Sequence, residues 1–75
     1  MSLQINQISP AQWFKAEVAR CKALLPKDYK MKLFALLPKE YDTPGGGLLV
    51  HNVLNGRASD MTVLEALKKL IGENV

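Results

Sequence analysis

Pro10, Pro26, Pro38 and Pro44, together with the run Gly45, Gly46 and Gly47, cut this 75-residue chain into short segments. Proline has no N–H to give to a helix and turns the residue before it away from helical geometry, so each one marks a start or a stop. Between the stops, apolar residues return every three or four positions, which is the helical period; only SLQINQI, near the beginning, alternates, and briefly. The expectation is therefore an all-α chain: one compact four-helix domain with every helix short. At about half the usual domain length, a single hydrophobic centre must serve all of it.

The first helix is expected over residues 9–25. Ser9 can cap it, Pro10 sits at the first helical position, Gln12 completes a Ser-x-x-Gln capping box, and Ile8 and Trp13 stand at the positions of a hydrophobic staple. Phe14, Val18, Cys21 and Leu25 form the apolar stripe, with Lys15, Glu17, Arg20 and Lys22 off it. Residues 1–8 read as a loose N-terminal arm. A second helix is expected over 28–37, capped by Asp28, with Tyr29, Leu33 and Leu36 or Leu37 on one face and Lys30 and Lys32 outside. Trp13, Phe14, Tyr29 and Phe34 fall beside other apolar residues and are expected in the core.

Residues 38–47 carry two prolines and three glycines, which helix and strand interiors tolerate poorly, so a loop is expected there. A third helix follows over 48–55, turning Leu49, Val50, Val53 and Leu54 inward and Leu48, His51, Asn52 and Asn55 outward. Asn55-Gly56 reads as its left-handed stop, with Arg57 emerging beside it. The fourth helix is expected over 60–72, with Ser59, Asp60 or Thr62 as cap, Thr62 and Glu65 as a second capping box, and Gly72 as its stop.

Composition narrows the function. Nearly half the residues are apolar and 23% are charged, the balance of a folded protein. The single cysteine, Cys21, has no disulfide partner, and the lone histidine, His51, has no metal-ligand spacing around it; no cofactor is implied. There is no nucleophile–base pair or carboxylate pair, so an enzyme is not expected. No apolar run approaches the roughly 18 residues of a membrane span, and the opening lacks a signal-peptide pattern; a cytoplasmic protein without a membrane partner fits best. Residues 1–39 hold seven Lys/Arg against two Asp/Glu, whereas residues 40–75 hold three against five. A basic half suits a polyanion, although solvated helix faces produce the same count.

The stretch VLNGRASDMTVLEALKKL resembles Cro- and repressor-type helix-turn-helix proteins, including short phage-like regulators, in which a recognition helix ends in an Asn-Gly turn before a Val-Leu-rich helix. The likeness spans about residues 25–71 and is firmest over 51–70, with an extended loop where the family has a tight turn. It implies a modified helix-turn-helix, double-stranded DNA as partner, transcription regulation as the role, and a homodimer on a two-fold site. It also implies base contacts from His51, Asn52 and Asn55, a phosphate or guanine contact from Arg57, and backbone contacts from Lys30 and Lys32. Thr43 and Gly47, which bracket the Pro-Gly-Gly-Gly run at a helix start, join the candidate DNA contacts, since N–H groups there could approach a phosphate. Two other accounts stay open: these polar side chains serve only to cap and solvate a helix end, or the uncharged face with its outward Leu48 is a protein-interaction surface.

Overall fold

A computed structural model describes residues 9–73; the expected arm over 1–8, and with it Ile8 of the staple, lies outside them. The described residues form four α-helices and no strand: α1 (Pro10–Ala23), α2 (Tyr29–Leu36), α3 (Pro44–Leu54) and α4 (Met61–Leu70), with a 3-10 turn, Lys39–Tyr41, before α3. The all-α expectation holds. No helix among these residues is long and apolar enough to cross a membrane.

The start of α1 is the capping box its sequence spells. The Gln12 N–H donates to Ser9 Oγ and the Ser9 N–H to Gln12 Oε1, both at 3.1 Å, satisfying two amides that the first turn leaves without partners. Asp28 stands at the cap position of α2, yet its side chain makes no capping hydrogen bond. That helix is started instead by a turn in which the Tyr29 N–H reaches the Pro26 carbonyl at 3.2 Å. It ends because Leu37, preceding Pro38, is forced to an extended ψ of 152°. At α4 the cap is Asp60, which accepts from the Thr62 and Val63 amides, so the Thr62–Glu65 box does not form.

The main departure lies at residues 38–47, which are not a loop. They hold the 3-10 turn and the first turn of α3, which begins at Pro44 rather than at residue 48. Three local features offset the poor helix propensity of glycine. Thr43 caps, its Oγ1 accepting from the Gly46 N–H at 3.0 Å while donating to the Glu40 carbonyl at 3.1 Å. Pro44 takes the position where a missing N–H costs nothing. Finally, Gly46 is where the 3-10 turn crosses the helix: a Cβ there would lie 2.5 Å from the Glu40 carbonyl oxygen and from the Tyr41 Cα. Only glycine fits so close a backbone crossing. A Cβ on Gly47 would meet open space.

One core joins all four helices: Phe14, Val18 and Cys21 from α1; Tyr29, Leu33 and Leu37 from α2 and its end; Val50, Val53 and Leu54 from α3; Val63, Leu64, Ala66 and Leu67 from α4. The inward residue of the Leu36–Leu37 pair is thus Leu37. Trp13 does not enter the core as expected; it is 41% exposed, with the Lys68 ammonium 5.5 Å from its ring centroid. The principal packings are α1 on α4 and on α3, α2 on α4, and the 3-10 turn on α3. An ion cluster ties α1 to the end of α4. The Arg20 guanidinium holds Glu73 through both carboxylate oxygens, at 2.6 and 3.0 Å, and Glu17 at 3.0 Å, while Lys68 lies 3.5 Å from Glu17.

Two predictions follow from these contacts. Gly46→Ala forces backbones apart and is expected to cost about 1–3 kcal/mol, whereas Gly47→Ala is expected to stabilise by about 0.5–1 kcal/mol; urea unfolding midpoints separate the two. Hydrogen bonding to Arg20 holds the Glu17 and Glu73 carboxyls below the usual carboxylate range. The unfolded chain then binds more protons in acid, so this contribution is full above about pH 4.5 and fades as pH falls below it. Arg20→Gln is expected to flatten the acid limb of a melting-temperature profile; an unchanged limb would show that the cluster does not contribute.

Candidate nucleic-acid interface

Because Val50, Val53 and Leu54 bind α3 to the core, its opposite side faces outward. Leu48 is 60% exposed, His51 and Asn55 are exposed, and Asn52 is half-buried. The helix stops as its sequence requires. Gly56 takes a φ of +77°, the Gly56 N–H donates to the Val53 carbonyl at 3.1 Å, and the Arg57 N–H reaches back to the Asn52 carbonyl at 2.8 Å. This is a Schellman end, and it throws the exposed Arg57 out beside the final turn.

The predicted contacts divide when placed in space. His51, Asn52, Asn55 and Arg57 do gather at the C-terminal half of α3 and its cap. The Asn55 amide is partly committed already, its Nδ2 donating to the His51 carbonyl at 2.9 Å and lying 3.2 Å from His51 Nε2. Asn52 makes no side-chain hydrogen bond among the described residues. Lys30 and Lys32 are exposed on α2, whose principal partner is α4, so they belong to another element of the surface. Thr43 and Gly47 lie at the far, N-terminal end of α3. The Thr43 hydroxyl is used in the cap, and the Gly47 N–H is bonded to the Thr43 carbonyl at 2.7 Å. Neither group is therefore left open for the phosphate contact expected of it, and within the glycine run only Gly46 is required by packing.

Two cations that the sequence reading set aside as merely off the apolar stripe join the site. Lys15 and Lys22 of α1 reach the end of α3, where a shallow groove of about 210 Å³ is lined by Lys15, Val18, Ala19, Lys22, Leu54, Asn55 and Gly56. The Lys22 ammonium donates to the Leu54 carbonyl at 2.9 Å, and the Lys15 stem passes over Gly56, whose absent Cβ would lie 2.7 Å from Lys15 Cε. Their spacing of seven along one helix face was visible in the sequence; that the end of α3 lands on that face was not. Cys21 is fully buried, and burial pushes its thiol pKa up, so it offers no ready thiolate. Among the described residues no three His, Cys, Asp or Glu side chains gather in a way that could hold a metal ion.

Neither a protein-family model, nor a curated protein, nor a solved structure matches the chain. What can be said of function therefore comes from the site itself. The Schellman turn that shapes it can be checked directly: Gly56→Ala puts a Cβ into left-handed backbone and against Lys15, and is expected to cost about 1–2 kcal/mol in chemical denaturation. Gly56→Asn, which tolerates that backbone better, is expected to lose less.

Proposed function

We propose that the chain binds double-stranded DNA, as a transcriptional regulator that lays α3 in the major groove as part of a modified helix-turn-helix. The observation that carries this reading is the grouping of uncharged hydrogen-bonding side chains, His51, Asn52 and Asn55, on the outward side of one short helix that ends in the exposed cation Arg57. Amide side chains suit adenine edges, and an arginine at the rim suits phosphate or guanine. On this reading the 3-10 turn Lys39–Tyr41 stands where the related motif has its tight turn, and α2 offers Lys30 and Lys32 to the sugar-phosphate backbone. A single short helix makes few base contacts, so two copies on a two-fold site supply useful affinity.

One observation favours a second reading. Leu48 is 60% exposed in the middle of the same face, and that face bears no formal charge from Pro44 to Asn55. Such a surface also suits docking to another protein.

Titrating a labelled duplex with the protein at two salt concentrations separates the two. DNA binding is expected to give an affinity that drops steeply as salt rises. Asn52→Ala and Asn55→Ala are then expected to erase discrimination between duplex sequences more than general affinity, while Lys30→Gln and Lys32→Gln weaken all duplexes alike. Absence of salt-dependent binding overturns the DNA reading and leaves the docking face.

A further inference from the structure

We infer that the groove between α1 and the C-terminal end of α3 is a phosphate seat, bracketed by Lys15 and Lys22. The inference deepens the DNA reading and rests on it: the seated group is then a backbone phosphodiester. Lys15 and Lys22 lie seven residues apart on one face of α1, about 10 Å along the axis. Between them stands Ala19, too small to fill the space, and no carboxylate lines the groove. The Lys22 ammonium is fixed by its bond to the Leu54 carbonyl at 2.9 Å and keeps two N–H donors for a further acceptor. The Lys15 stem lies over Gly56 and lines the same groove.

A helix C-terminus ordinarily repels anions, because its last carbonyls carry partial negative charge. Here each of the last four has a donor. His51 receives the Asn55 N–H and Nδ2, Asn52 receives the Arg57 N–H, Val53 receives the Gly56 N–H, and Leu54 receives Lys22. With those carbonyls engaged, two lysines and the nearby Arg57 set the local charge. The nearest acid on α1, Glu17, is turned to Arg20 and Lys68 and does not neutralise them.

The test follows duplex affinity across a salt series for the wild type, Lys15→Gln, Lys22→Gln and Ala19→Glu. Lys15→Gln is expected to reduce the slope of log affinity against log salt by about one, and Ala19→Glu, which places a carboxylate between the two lysines on a helix-compatible position, by at least as much. Lys22 also caps α3, so those two variants, which leave the cap intact, decide the matter if Lys22→Gln fails to fold. In parallel, amide spectra of the wild type are recorded with inorganic phosphate; shifts are expected at Ala19, Asn55 and Gly56 and are expected to vanish in Ala19→Glu. Normal DNA binding with unchanged slopes in Lys15→Gln and Ala19→Glu overturns the seat while the DNA reading stands. If the wild type binds no duplex, the DNA reading falls and the phosphate spectra decide: shifts confined to the groove support an anion seat, and their absence overturns it.

Discussion

Two stretches of backbone touch at Gly46, and the placement of α3 depends on that contact. The 3-10 turn lies so close to the first turn of the helix that any side chain at this position would overlap the Glu40 carbonyl oxygen and the Tyr41 Cα. The same turn reaches the start of α4, because the Tyr41 hydroxyl donates to Asp60 at 2.9 Å while Asp60 caps that helix. One short segment thus fixes where two helices begin. Since α3 is only 11 residues long, a displacement at its start carries to its end, where Lys22 meets the Leu54 carbonyl. Three glycines in a first turn weaken the helix locally, by about 1 kcal/mol each relative to alanine; close approach at one of them, the Thr43 cap and the buried valines offset that loss.

Charge on α1 is divided between two sides with different uses. Glu17 and Arg20 point toward α4 and its end, where they join Lys68 and Glu73 in one ion cluster. Lys15 and Lys22 lie roughly opposite on the helix and turn to α3. Arg20 therefore belongs to structure rather than to any polyanion surface, and the raw excess of basic residues overstates the charge open to a partner. What remains around α3 is smaller but concentrated: two lysines and Arg57 within reach of one helix end.

The helices were legible because their signals are local. Ser9 and Gln12 fixed one boundary, Asp60 was among the residues named for another, and Gly56 and Gly72 both adopt the left-handed backbone expected of helix stops, at φ +77° and +85°. The inward faces followed from spacing, with Val18, Leu33, Val53 and Leu67 all buried. The first turn of α3 was not legible, since its glycines oppose a helix unless a cap and a close neighbour offset them, and here these are Thr43 and the 3-10 turn crossing at Gly46. Trp13 misled because Phe14 beside it is a core residue, whereas its own angle on α1 leads toward Lys68. The candidate site was half legible. The α3 side chains stand where periodicity put them, whereas Lys15 and Lys22 acquire their meaning only from the crossing of α1 and α3.

That crossing bears on how α3 would meet DNA. A helix-turn-helix recognition helix leads with its N-terminal residues. Here the first turn offers glycines without side chains, and its cap hydroxyl is already bonded. The side chains able to read a base stand at the other end, beside Lys15, Lys22 and Arg57. On the DNA reading, α3 therefore approaches with its C-terminal half foremost. Asn55 has part of its amide bound to its own helix, so Asn52 carries most of the discrimination, and it must reach out from a half-buried position between His51 and the Schellman turn. A face so arranged reads few bases and relies on its flanking cations for grip, which couples any sequence preference to the groove beside it.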